Sequence, residues 1–462
     1  MNDRLETFML AAVSAALALS LMSDTVSATF GVSLLAAALL IPIACCIRLH
    51  RDLNSLIFSG LLWRLVVIGL VTFWILPYYA ARNSADAVWY NNQAADLAQA
   101  IRAGDWWQLP LNVGSDLVTV VTALFYVPFG PSSDGVTFLS GLLGFVGSLC
   151  FVAAAAAALP EKNLREYAIF AMLLPSIVFW STLFGKDSWV FFGLGISALG
   201  VAQWLKYRTW SGLLKVLIGM GIVGVFRPHI ALATALSFAL TTLVCRKRSA
   251  PLSGTKSVAV LLVLAPATFL LWRGVSYSTG ITEVSEESIV GRTSEQGVYT
   301  QLGGGSDVAT NEIQGTRGFV SQLPEGAVRL LFRPWPWEAK SPFMFLAALD
   351  NLILIGILAV RRRDVMDTLR NLRTRPFAFF SVVLAIELIM IFSTIANLGL
   401  LMREKTQITP FLYVLAFCGN RRAASRTRPV RRNEDAHARL NRIPARARLD
   451  PAGAGASNTQ AS

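Results

Sequence analysis

SADAVWYNNQAADLAQAIRAGDWW, residues 84–107, is the longest polar, aromatic-studded segment in the first half of a chain that is otherwise mostly hydrocarbon. It follows directly on an apolar run at 56–79, which places it on a membrane face. At helical spacing Val88, Ala94, Ala95, Leu97, Ala98 and Ile101 make an apolar side, while Asn91, Asn92, Asp96, Gln99 and Arg102 are polar. That pattern predicts an amphipathic helix lying in the interface rather than a span. Gly104 ends it, Trp106 and Trp107 suit the headgroup zone, and Ser84 or Asp86 caps its start. A carboxylate at Asp86 meets both water and lipid headgroups.

The composition of the whole chain is that of an integral membrane protein: 54% hydrophobic, 15% charged, mean hydropathy +0.54. The expected fold is an all-α polytopic transmembrane helical bundle of about 12 spans (roughly 10 to 13), each needing about 20 apolar residues. The runs are 7–22, 29–47, 56–79, 135–158, 167–184, 187–205, 211–226, 229–245, 257–275, 343–360, 376–399 and 407–419. The first is followed by SDTVSA and at once by another span, so it reads as a retained helix rather than a cleaved leader. Residues 1–419 form the transmembrane domain, with outer loops 80–134 and 276–342. Residues 420–462 form a disordered Arg-rich cytoplasmic tail.

The net charge of +13 does not indicate nucleic acid, because ten Arg against Glu434, Asp435 and Asp450 place +7 of it beyond Asn420. A solvated tail accounts for it, with anionic membrane lipids as the alternative partner. The five cysteines lie in or at the ends of apolar runs, so no disulfide framework is expected.

Positive loops stay in the cytoplasm. RLHR (48–51), Arg246–Arg248 with Lys256, Arg361–Arg363 with Arg370, Arg373 and Arg375, and the tail are the anchors. All four lie inside, with both termini, if the run 116–129 is re-entrant or peripheral; a rival count with one more crossing puts the RKR cluster outside. On the first count FGKD (184–187), FRPH (226–229) and MREK (402–405) emerge on the same outer face as Asp86. Lys186, Arg227, Arg403 and Lys405 then break the inside rule, and an anionic headgroup bound from outside is a reason for them.

Individually these residues have plain readings. Lys186 and Asp187 could pair and end two helices, Arg227 could snorkel, and His229 could cap or pack. Together they suit a lipid phosphate, for which Arg offers a fork and Lys a point charge. Asp86 becomes a candidate general base for a sugar hydroxyl, its alternative being a helix cap. With three histidines in the chain and only His229 outside, no His-rich metal site can form there. No cofactor is implied with certainty, and a carboxylate-bound divalent cation stays possible. In the loop 276–342 the part through GGGS and GTRG reads as flexible. RPWPWEA is not linker-like: Trp335 and Trp337 are an interfacial anchor or a platform for sugar rings, and Arg333 and Glu338 pair or bind substrate. Arg64, Asp350 and Glu387 are polar outliers within spans, either helix partners or part of a polar path.

DAVWYNNQAADLAQAIRAGDW resembles the first large outer loop of multi-span GT-C-type glycosyltransferases, which use polyprenyl-phosphate-linked sugars outside the cytoplasm. PSIVFWSTLFGKDSW, FRPHIA, RPWPWEA and ANLGLLMREKTQITP look like blocks of bacterial membrane proteins of polysaccharide assembly, polymerases included. The resemblance implies that Asp86 is the base or orients the acceptor, and that Arg403 contacts the lipid phosphate. The chain departs from the pattern in having two spans before the one leading into the Asp86 loop, and in lacking an acidic pair at Asp86.

The expected function is therefore a bacterial inner-membrane glycosyltransferase or polymerase of exopolysaccharide or another cell-surface glycan. Its partners would be a lipid-linked sugar donor, a glycan acceptor and a polysaccharide assembly complex. Asp86 would be catalytic, and Lys186, Asp187, Arg227, His229, Arg333, Trp335, Trp337, Arg403 and Lys405 would bind substrate. The alternatives are a transporter or flippase of glycans, which distributes polar residues through the membrane, and a non-catalytic scaffold. No inverted repeat favours transport.

Overall fold

The computed structural model describes residues 2–81, 86–110, 112–245, 268, 271–276, 315–393, 395 and 397–419. These belong to one unit within Met1–Gly419, and they form helices with no strand ladder among the described residues. The order is α1 (Asn2–Leu21), α2 (Val26–Cys46) and α3 (Asn54–Leu70), which passes through a π-helical turn at Val71–Ile75 into α4 (Leu76–Ala80). Then come α5 (Asp86–Ala103), α6 (Ser115–Phe129), α7 (Ser133–Ala158), α8 (Glu161–Leu173), α9 (Pro175–Trp180), α10 (Lys186–Tyr207), α11 (Trp210–Phe226) and α12 (Pro228–Val244). The last are α13 (Gly315–Phe332), α14 (Pro342–Val360), α15 (Arg362–Arg370), α16 (Pro376–Phe392) and α17 (Leu398–Phe417).

Four stretches are long and apolar enough to cross a membrane: Val26–Cys46, Arg51–Ala80, Ser133–Ala158 and Lys186–Tyr207. A fifth candidate is α14 with α15, which bend by 69° at their junction. Other apolar runs form helices of 10–17 residues, among them α6, α11, α12 and α16.

The sequence of α7 is apolar all round, and every residue from Gly135 to Ala155 is buried. A helix without a polar side belongs in the middle of a bundle. Next to it α10 packs on both flanks through glycines. A Cβ on Gly195 would come within 2.5 Å of the Gly147 carbonyl oxygen of α7, and one on Gly219 of α11 within 2.5 Å of the Gly193 oxygen. Small residues allow such backbone approach where lipid supplies no hydrophobic drive between helices.

Several expected spans have different bounds. The run 167–184 is two helices, because Pro175 has no N–H to donate and holds Leu174 extended (ψ 122°). The two free ends of α9 are satisfied by charges. Asp350 accepts the Ser176 N–H at 2.6 Å, while Arg64 donates to the Val178 carbonyl at 2.9 Å and to the Thr182 hydroxyl at 3.2 Å. Glu387 accepts from Ser237 at 2.6 Å. These three polar outliers are thus helix partners.

The run 376–399 stops at Phe392, and the final helix starts at Leu398 rather than 407, where Asn397 accepts the Gly399 and Leu400 N–H groups. The run 116–129 is one helix. Gly114 (φ +103°) and Gly130 (φ +104°) bound it in conformations that glycine tolerates best. Within the segment 276–342, expected as an outer loop, GTRG opens helix α13 instead of belonging to a linker. Most of the expected span 257–275, the loop through GGGS, and the tail 420–462 lie outside the described residues.

Gly195→Leu overpacks the seam between α10 and α7, a change that costs about 1–3 kcal/mol or more. Thermal unfolding in detergent, followed by the folded fraction on size exclusion, should fall clearly for this variant. Gly221→Leu, at a position with nothing within 4 Å of a new Cβ, should leave it unchanged.

Candidate functional site

Helix α5 begins the site. Ala87, Tyr90, Ala94, Leu97, Ala98 and Ile101 form its buried side. Val88, expected on that side, is exposed, and Tyr90 takes its place because its ring packs edge-on against Phe184. Arg102 clamps the far end by donating to the Val127 carbonyl at 2.7 Å and the Tyr126 carbonyl at 2.5 Å, so it caps the C-terminus of α6. The Tyr126 hydroxyl donates back to Asn91 at 2.8 Å. The start of α6 is tied down separately, by the Gly114 N–H on the Val225 carbonyl at 2.9 Å. Held this way, the first turn of α5 faces the ends of α10, α11 and α17.

A cleft of about 360 Å³ opens there. Asp86, Trp89 and Tyr90 of α5 line one side, Ser115 of α6 and Lys186 of α10 another, and Arg227 with Leu400 and Arg403 the rest. Lys186 donates to the Ser115 hydroxyl at 3.0 Å, and the Tyr90 hydroxyl approaches the same oxygen at 3.4 Å. Burial pushes the Tyr90 phenol up from its ordinary value, so it stays protonated and able to donate.

Beneath the cleft is a buried ion network. Asp187 accepts from Arg227 at 2.7 Å with one carboxylate oxygen and from Arg403 with the other. Glu404 accepts from Arg227 and from Gln407, the latter at 2.9 Å. The Asp187 and Glu404 side chains are 5% and 7% exposed, whereas Asp86 is 72% exposed and reaches Arg403 only at 3.6 Å. The two buried acids are therefore committed to holding guanidiniums, and Asp86 is the acid on the cleft open to solvent. Lys186, Arg227 and Arg403 against Asp187 and Glu404 leave one net positive charge when Asp86 is set aside. The arrangement can bind an anion through Arg403 and Lys186, offer hydroxyls from Ser115 and Tyr90, and accept a proton at Asp86.

Of the residues expected at a site, Asp86, Lys186, Arg227 and Arg403 meet at this cleft, and Asp187 lies under it as a positioning acid rather than a substrate contact. Five others are elsewhere. His229, the second residue of α12, packs edge-on against Phe392 and does not line the cleft. Lys405 points off α17 in another direction, donating to the Leu331 carbonyl and to Asn351. Arg333 pairs with Glu338, and Trp335 stacks on Trp337 in a separate turn. Glu404, Ser115 and Tyr90 are site residues that sequence reasoning missed. The clue to Glu404 is the charge count: cations set among apolar helices need buried anions, and MREK carries one. Among the described residues no three His, Cys, Asp or Glu side chains gather as metal ligands.

Compared with known proteins, the chain matches no family model, no curated protein and no solved structure.

Removing one partner of a buried ion pair strands the other and costs about 3–5 kcal/mol. Asp187→Asn and Glu404→Gln should each lower the unfolding temperature of the purified protein by several degrees. Asp86→Asn, at an exposed position, should shift it by less than about one degree, since exposed pairs are worth ~0–1 kcal/mol.

Proposed function

We propose that the chain is a bacterial inner-membrane glycosyltransferase or polymerase of cell-surface polysaccharide. It takes sugar from a polyprenyl phosphate or diphosphate carrier and transfers it to a glycan acceptor at the outer face. The observation that carries this reading is the meeting of one solvent-open carboxylate with three cations in a single cleft at one end of the bundle.

Charge sidedness supports the outer location. Helix α10 runs about 33 Å from the cleft to Arg208, at 1.5 Å per residue over its 22 residues. Arg361, just past the end of α14, sits over the Phe417 ring, about 21 Å along α17 from Arg403 and so remote from the cleft. Exposed Trp89, Trp106, Trp107 and Trp337 mark the cleft end, and exposed Tyr207 and Trp210 the other, as two interfacial belts would. With the arginine loops inside, both termini are cytoplasmic and the chain crosses about twelve times.

In the reaction Asp86 accepts the proton of an acceptor hydroxyl while that oxygen bonds to the anomeric carbon of the donor sugar. The bond from that carbon to the phosphate oxygen breaks, its electron pair leaving with the lipid phosphate. Arg403 and Lys186 stabilise the departing charge, and Asp187 and Glu404 keep the guanidiniums fixed before it develops. The cleft has room for a phosphate and its adjoining sugar, and the lipid tail lies along the helices. Transport is the weaker reading, because Arg64, Asp350 and Glu387 are each bonded to a neighbouring helix and do not line a path.

The test is detergent-purified protein given a lipid extract of its host, with mass spectrometry of released polyprenyl phosphate or diphosphate and of glycan length. Release is expected, with Asp86→Asn lowering it by about 10²–10⁴-fold, and Arg403→Ala lowering it comparably. Full activity in Asp86→Asn sinks the base assignment, and no release from folded protein with its lipid present sinks the transferase.

A further inference from the structure

The turn between α13 and α14 carries chemistry that the cleft does not use. Trp335 and Trp337 lie parallel, 5.4 Å between ring centroids and 6° between planes, and Trp337 is 78% exposed. Beside them Arg333 grips Glu338 with two nitrogens, at 3.0 and 2.5 Å, and the same carboxylate accepts the Trp335 N–H at 2.9 Å. Asn351 donates to the Phe332 and Pro334 carbonyls at 3.1 and 3.0 Å, and Lys405 fixes Asn351 from α17. Burial works against the charge of Glu338, but the bonds from Arg333 and the Trp335 N–H outweigh it and hold the carboxyl below its ordinary range. It is therefore an ionised acceptor at neutral pH.

We infer that this turn is a binding platform for the sugar rings of a neutral glycan. A pyranose has an apolar C–H face and polar edges. An indole presents the matching flat surface, and a rigid carboxylate–guanidinium pair at its rim matches the hydroxyls. An indole that only anchors a protein to lipid needs the right depth, not a locked orientation. Here every backbone carbonyl from Leu331 to Pro334 except that of Arg333 is tied to a side chain of α14 or α17. The location fits as well. The turn precedes α14, whose other end is Arg361, so it stands at the same end of the bundle as the cleft. Lys405, which holds it, is two residues from Arg403. That the bound glycan is the acceptor rests on the transferase reading; the binding of sugar does not.

The experiment uses the full chain in detergent and saturation-transfer NMR with cellohexaose, chitohexaose and maltohexaose. At least one hexasaccharide should bind, Trp337→Ala should weaken it about tenfold, and Trp337→Phe should retain most of the affinity. Because Trp337 is exposed, its unfolding temperature serves as the check that the alanine variant remains folded. If none of the three binds, or if binding is equal in folded Trp337→Ala, the platform is wrong. So it is if, in nanodiscs with brominated lipid, quenching drops in Trp337→Phe and added hexasaccharide does not protect the indole of the parent, the behaviour of a lipid anchor. Asp86→Asn separates the two readings: it should abolish turnover and leave hexasaccharide binding intact. In the turnover assay Trp337→Ala should raise KM for the acceptor with kcat unchanged.

Discussion

Asp187, Arg227, Arg403 and Glu404 form one buried electrostatic knot, and the end of the bundle is organised by it. Charges at that depth cannot be left alone, so the start of α10, the junction of α11 with α12, and α17 must meet wherever the four can pair. Asp187 does most to fix the geometry, since its two oxygens serve two arginines from different helices. Because both buried acids are used up in this way, the neighbouring exposed carboxylate of Asp86 keeps only a loose contact with Arg403. The cleft thus combines fixed positive groups with one acid that is free to change partners.

Much of this was legible in the sequence for a simple reason. Positive loops are expected on one side of a membrane, so the cations of FGKD, FRPH and MREK stood out as a group with Asp86, and Lys186, Arg227 and Arg403 do line one cleft with it. What the sequence could not express was pairing at a distance. Asp187 and Arg403 are 216 positions apart, and nothing local distinguishes a carboxylate that binds a ligand from one that holds an arginine. Lys405 is two residues from Arg403, but positions two apart on a helix are turned about 200° from each other, so the two side chains leave α17 in different directions. The break at Leu174–Pro175 was visible as a proline and hidden by the continuity of the apolar run around it.

Charges within apolar helices illustrate the same limit from the other side. Arg64 and Asp350 look like stations of a polar route when only their depth is known. In the fold they sit at opposite ends of the six-residue helix α9, the acid at its N-terminus and the arginine at its C-terminus, which is the orientation the helix dipole favours. Interrupting a helix in a low-dielectric bundle exposes backbone groups, and these two side chains close the gap that Pro175 makes.

Helix α17 carries Arg403, Glu404 and Lys405 in succession, and the three point to the cleft, to the ion knot and to the tryptophan turn. One stiff rod therefore serves as a common axle for two surfaces that share no direct contact in sequence. A small rotation about its axis would swing all three side chains by the same angle, so neither surface can be repositioned without disturbing the other. Evolution of this end of the protein is then constrained in concert: a substitution that suits one surface by shifting α17 is tolerated only if the second surface accepts the same shift.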